Sequence, residues 1–289
     1  MITVDVHRTV TVTADAGVPV DVPSLAAPKG GLGSVATPTG PGVRLVTPES
    51  EAWTTVGLVF SGDPCGVTTG IPVGCGTTYV PPEGAGLYET VQASIVGVPQ
   101  TVDCGTFAVR DIGEFETVAA ARVDATLWGT VGTELWGGAV QATLPPGQQG
   151  KWLTNGDAVP VATGALPFDQ ALYALEEYAA KCSTGGERLF HVPVSVLDRY
   201  AAYGLAVPGE APGRWRTPAG SLIIADPGYP APVNGATELY VTGQIYGAVS
   251  PAVFNSVQYP GTNRTVVTAT KAVAFGWFCC HGVVQVEGC

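Results

Sequence analysis

Charge is scarce in this chain. Of 289 residues only 13% are Asp, Glu, Lys or Arg, about half the usual share. The few charges are mostly acidic: 13 Lys and Arg against 24 Asp and Glu leave a net charge of −11. Wrapping of DNA or RNA needs clustered Lys and Arg, so this balance argues against it. It argues equally against adhesion to an anionic membrane face. No run of about 18 apolar residues occurs, so no spanning helix is expected and no membrane partner. The opening stretch MITVDVHRTVTV alternates apolar and polar residues and lacks the basic and apolar blocks of a secretory signal. Histidine is rare, with only His7, His191 and His281. A hydrolase would pair one of them with Ser221 and with Asp198 or Asp226, but no G-x-S-x-G elbow occurs. The three histidines therefore read as structural or surface residues. There is no P-loop, and Gly30-Gly31-Leu32-Gly33 lacks the strand–turn–helix setting of a dinucleotide loop. No catalytic residue, cofactor or metal is expected.

What is present is apolar residue and turn residue. Hydrophobic side chains make up 46%, and 39 Gly with 24 Pro exceed one residue in five. The mean hydropathy is +0.26, high for a chain without membrane spans. The physical reading is that other subunits cover much of its surface. Seven cysteines are present: Cys65, Cys75, Cys104, Cys182, Cys279, Cys280 and Cys289. Synthesis in the cytoplasm with buried free thiols is the expected state. A Cys65–Cys75 bridge is the disulfide to check first. A zinc site from these two with Cys279, Cys280 and His281 fits no common spacing, and adjacent Cys279 and Cys280 point to opposite faces of a strand.

Along the chain, the alternation over residues 9–13 suits a strand, and the Gly/Pro/Thr-rich stretch 28–48 reads as an extended arm or loop. Residues 51–106 read as a short strand around Trp53, Val56, Leu58 and Phe60, followed by turns. Over 107–128, Ile112, Phe115, Ala119, Val123 and Leu127 recur at helical spacing, with Asp111, Glu114 and Glu116 in the early turns and Gly129 as a stop. Residues 151–164 read as loop. Pro167 opens a second helix with Phe168, Leu172, Leu175, Ala179 and Cys182 on one stripe. A strand at 189–192 follows, then a short helix opened by Pro193 through Val196, Leu197 and Tyr200, closed near Gly204. Residues 221–225 form a strand ended by the turn 226–230. Residues 239–248 and 265–286 read as further strands. The fold class is α+β, with long strands and few helices.

Three segments taken in order resemble the major capsid proteins of tailed bacteriophages, the Hong Kong 97 type shared with encapsulins, and most of all those of actinobacterial phages. FETVAAARVDATLWGT, residues 115–130, is similar to the long spine helix. ALYALEEYAAKCSTGGERLFHVPVSVLDRY, residues 171–200, is similar to the apical-domain helix with the strand and short helix after it. TPAGSLIIADPGYP, residues 217–230, with LYVTGQIYG and NRTVVTATKAVAFGWFCCHGVVQV behind it, is similar to the central apical strands and the returning peripheral strands. WTTVGLVFSGDPCG resembles actinophage head proteins more loosely. The chain departs from the family in starting almost at the arm, with no evident scaffolding segment before it.

The resemblance implies a Hong Kong 97-type capsid fold. An N-terminal arm and extended strands would occupy 1–60. A peripheral domain would span 61–164 and 249–289, with the spine helix at about 107–128. An apical domain would span 165–248. It implies a structural, non-enzymatic virion protein: a major head subunit, made in the host bacterial cytoplasm, that self-assembles into pentamers and hexamers of an icosahedral shell. Partners would be copies of itself, possible scaffold, portal and decoration proteins, and packaged double-stranded DNA held without sequence specificity. Trp215, flanked by Arg214 and Arg216, is the expected subunit contact, since Trp and Arg are favoured at interface centres. The turn residue Tyr229 would join it near the capsomer axis. Trp128 and Trp277 read as core. Lys–Asn crosslinks known in some of these shells would draw on Lys29, Lys151, Lys181 or Lys271 and on Asn155, Asn234, Asn255 or Asn263; nothing in the sequence pairs them. The rival readings are a decoration or tail-tube subunit, or a secreted β-rich hydrolase or carbohydrate-binding protein.

Overall fold

A computed structural model describes residues 2–5, 36–37, 43–45, 57–62, 89–94, 96–103, 112–145, 149–182, 187–209, 213–259, 264–277 and 280–288. The strands before the first helix are β1 (Ile2–Asp5), β2 (Ala36–Thr37), β3 (Val43–Leu45), β4 (Gly57–Gly62), β5 (Glu89–Ser94) and β6 (Val96–Asp103). Helix α1 (Ile112–Gly137) is followed by β7 (Val159–Pro160), β8 (Leu166–Pro167), α2 (Phe168–Cys182), β9 (Leu189–Val192) and α3 (Val194–Ala202). The chain continues through β10 (Val207–Pro208), β11 (Trp215–Arg216), β12 (Leu222–Ala225), β13 (Ala236–Thr242), β14 (Ile245–Val249) and β15 (Val253–Tyr259). It ends with β16 (Arg264–Trp277) and β17 (His281–Glu287).

One sheet runs β10-β11-β12-β9-β13-β17-β7, with β8 also on β17. Its central strands read LFHV and LIIA because helices cover both faces, which leaves no polar side to alternate with. Leu189, Leu222, Ile224 and Tyr240 face one core, shared with Leu127, Val131, Leu135 and Trp136 of α1. Phe190, Val192, Ile223, Leu239 and Val241 face the other, filled by Leu172 and Leu175 of α2 and by Val196 and Tyr200 of α3. Leu172 and Leu175 are fully enclosed, and each such burial stabilises by about 1.5–3 kcal/mol. A second sheet runs β15-β16-β14-β3-β2, with β6 on the far side of β16. The third joins β1, β4 and β5.

Helix α1 links the two larger sheets. Its buried apolar residues Ala119, Val123, Leu127, Val131 and Leu135 are spaced by four. Each step of four turns the face by about 40°, so the buried side rotates by about 160° along the row. Ala119 and Val123 accordingly pack on Val102, Val267 and Ala269, whereas Leu127 to Leu135 pack around Trp277 and Tyr240.

The helix expected at about 107–128 begins at Ile112 and continues through the presumed stop at Gly129 to Gly137. The observed stop is Gly138, at φ +59°, whose N–H donates to the Glu134 carbonyl at 2.8 Å. The single strand expected over 239–248 is two. It breaks at Gly243, whose N–H donates to the Cys280 carbonyl, and β13 and β14 enter different sheets. β5, β6 and β15 form where no strand was expected. Within the expected arm, β3 pairs with β14 of the same chain and β2 pairs with β3. The proposed strand at 9–13 lies outside the described residues. The last strand, β17, hydrogen-bonds along β13 in the sheet of residues 189–242.

Candidate assembly surface

Trp215 and Arg216 form β11, between β10 and β12, with Arg214 just before. All three are half-buried. Trp215 lies against the core under α2 and α3. The Arg216 guanidinium donates to Glu187 at 3.0 Å and to the Gly220 carbonyl, so its planar head is oriented while part of it stays exposed. Next to it the Glu176 carboxylate accepts from the hydroxyls of Thr217 and Ser221, with Arg188 at 3.7 Å. Three of the four residues expected at a subunit contact are therefore together near one end of the sheet, one strand in from its edge.

Tyr229 is not with them, and its expected place at a contact is corrected. It is 5% exposed and belongs to the core around α1. Its ring lies 4.9 Å from that of Trp136, and its hydroxyl is 2.8 Å from His191 Nδ1. The turn carrying it is pressed onto α1. Asp226 Oδ1 accepts from the Gly228 N–H at 2.8 Å. A Cβ on Gly228 would stand 2.5 Å from the Thr133 nitrogen, and one on Gly132 would stand 2.1 Å from Asp226 Oδ1. Gly132 of the helix and Gly228 of the turn are thus contact glycines, which composition alone could not distinguish from a stop signal.

The histidines in reach are internal. His191 sits between the Tyr229 hydroxyl and Thr242 Oγ1, the latter 2.9 Å from Nε2. Burial, helped by nearby His281, pushes its pKa down to about 3. His281 contacts the Leu153 carbonyl through Nε2 at 3.1 Å, and burial takes it down to about 4 against the opposing pull of that carbonyl. Both rings are held neutral inside the core. His7 lies outside the described residues.

Cys182 and Cys280 are joined as a disulfide, with Cα atoms 5.5 Å apart. This corrects the expectation of free thiols for these two. α2 ends where β17 begins: Gly282 has no room for a Cβ beside the Tyr178 ring. The two sulfurs meet there. Cys65, Cys75 and Cys279 lie outside the described residues. Lys181 pairs with Glu177 and Lys271 with Asp124, while Lys151 donates to the Trp277 carbonyl. Trp277 is fully buried and Trp128 half-buried against the same core.

β15 carries four of the exposed large apolar side chains, Val253, Phe254, Val257 and Tyr259. All seven of its residues are exposed, among them Val253 at 68% and Tyr259 at 50%. β15 pairs with β16 on one side, and no other described strand pairs with it. No charge or proline interrupts VFNSVQY. Soluble proteins ordinarily blunt a free strand edge with such residues. Tyr203 at 66% and Tyr173 at 57% are further large side chains left in water. No described helix is long and apolar enough to cross a membrane.

No protein-family model matches the chain, and no curated protein does. Solved structures do. The head of Helicobacter pylori bacteriophage KHP40 matches with a TM-score of 0.52 at 10% identity, over 98% of this chain and 96% of that one. The capsid of Ralstonia phage GP4 matches with a TM-score of 0.51 at 10% identity, over 97% and 95%. The capsid of an empty GTA particle matches with a TM-score of 0.50 at 14% identity, over 95% and 94%. The likeness runs nearly end to end in both directions and includes helices and sheets together. The chain has the α+β Hong Kong 97-type fold of phage capsids.

Proposed function

We propose that this chain is a major capsid subunit: copies assemble into pentamers and hexamers of an icosahedral phage head around double-stranded DNA. The observation that carries the reading is the end-to-end match to head-shell subunits. A fold hosts many functions, so it does not stand alone. A charge-poor chain and an exposed, uncharged strand edge are what a tile needs and what a solitary globule avoids. The role is mechanical, without turnover, and its place is the virion shell.

Within that reading, residues 165–248 act as the apical domain with β17 hydrogen-bonded to it. Residues 61–164 and the strands after 249 act as the peripheral domain, with α1 as spine. Residues 1–60 serve as arm and extended strands. Trp215 with Arg214 and Arg216 forms a subunit contact. Scaffold, portal and decoration proteins would be further partners of the assembled shell, and the acidic wall would enclose packaged DNA without sequence preference and without adhering to it. Negative-stain microscopy of the purified protein tests the proposal: closed shells or hexameric rings are expected, and a monodisperse monomer overturns it.

A further inference from the structure

We propose that β15 is a self-complementary edge, along which two copies of the chain pair antiparallel about a two-fold axis through Ser256. The register with β16 sets the faces. Phe254, Ser256 and Gln258 stand opposite Ala269, Val267 and Thr265, on the side where Val267 and Ala269 are buried under α1. Val253, Asn255, Val257 and Tyr259 therefore share the other face, and all four are exposed. Alternate residues of β15 also turn their backbone N–H and C=O groups away from β16, a template for one more strand.

The occupant is a second copy for two reasons. The first is charge. Each molecule carries −11, so most surfaces of two copies repel. β15 has no charged residue, and the β16 residues 264–270 opposite it add only Arg264. Two acidic copies can approach here without opposing carboxylates. The second is symmetry. A two-fold through Ser256 sets Val253 against Tyr259 of the second copy, Asn255 against Val257, and the converse pairs beyond. The exposed row then meets its own image as a closed isologous patch in which Tyr259 stands opposite the β-branched Val253 at each end, a favourable cross-strand pairing. The pairing deepens the shell reading by naming one contact between tiles.

The test uses the full chain with Ser256→Cys, and Val253→Cys as control. Assembled protein is oxidised by dioxygen with copper–phenanthroline, run on non-reducing gels, and the linked peptides are identified by mass spectrometry. Residues 256 of the two copies would face each other, whereas residues 253 would lie about 20 Å apart, six strand positions away. The expected result is a dimer band from Ser256→Cys that carries a 256–256 link, with none from Val253→Cys or the parent chain. No 256–256 link, linkage only to a native cysteine, or equal dimer from Val253→Cys overturns the pairing. Microscopy of the same samples separates the two ideas. Shells without the link remove the pairing and leave the shell standing. The link without shells does the reverse.

Discussion

Gly129 and Gly132 stand three residues apart on α1 and play opposite parts. A Cβ on Gly129 meets nothing within 4 Å, and one on Gly132 collides with Asp226. Gly129→Ala should therefore stabilise by up to about 1 kcal/mol, the helix preference of Ala over Gly. Gly132→Ala should destabilise by about 1–3 kcal/mol, the usual cost of overpacking. Urea unfolding of the two variants checks this, and equal effects would contradict the contact. His191 and His281 supply a second prediction at this scale. Their folded pKa values, about 3 and about 4, lie below the unfolded value near 6.5. The unfolded chain thus binds more protons, and stability is complete above about pH 6.5 and lost as pH falls toward those values. Between pH 7.5 and 5.5, mostly above carboxylate titration, each histidine should remove about 1 kcal/mol, read as a falling urea midpoint. A flat midpoint would mean the rings are not buried as described. Neither effect was legible in the sequence, because glycine and histidine carry no label for what they touch.

Among elements, α2 was predictable to its ends. Its stripe is single-faced, and Pro167 marks its start. α1 hides its true length because its buried residues spiral from one core to the other, so no fixed stripe signals the last two turns. β15 was legible and passed over: Val253, Asn255, Val257 and Tyr259 alternate with Phe254, Ser256 and Gln258, but neither face is plainly polar. The Cys182–Cys280 bridge had no sequence signal. The two residues are 98 positions apart, and only the crossing of α2 over the start of β17 brings them together. Closing a loop of that size confines the unfolded chain, so replacing both with Ser should cost about 3–4 kcal/mol. Calorimetry should show a lower Tm for the double variant. Reductant should lower the parent's Tm toward it, and no change in either would place the bridge outside the working molecule.

For the whole molecule, the two proposed contact surfaces can be tested by substitution. Val257→Lys on β15 replaces an exposed side chain that supports no core, so monomer stability should shift by no more than about 0.5 kcal/mol, while shell yield by microscopy falls sharply. The double change Trp215→Ala with Arg216→Ala should also impair assembly more than folding, with a larger stability cost because Trp215 is half-buried on the core under α2. Shells at normal yield from either variant would take that surface out of the contact.

The sequence alone determined the class of the answer. Apolar periodicity, proline and glycine punctuation and the shortage of charge are local properties, and they were enough to place α2, β9, α3 and β12, to exclude a nucleophile elbow, and to suggest a surface that other subunits cover. Tertiary structure decided what depends on contacts between distant residues. It put Tyr229 inside rather than at a contact, turned Gly129 from a stop into part of a packed helix, joined Cys182 to Cys280, and left β15 bare. The physical reason is that burial and pairing belong to pairs of residues brought together by the fold, whereas propensity belongs to each residue with its neighbours in sequence.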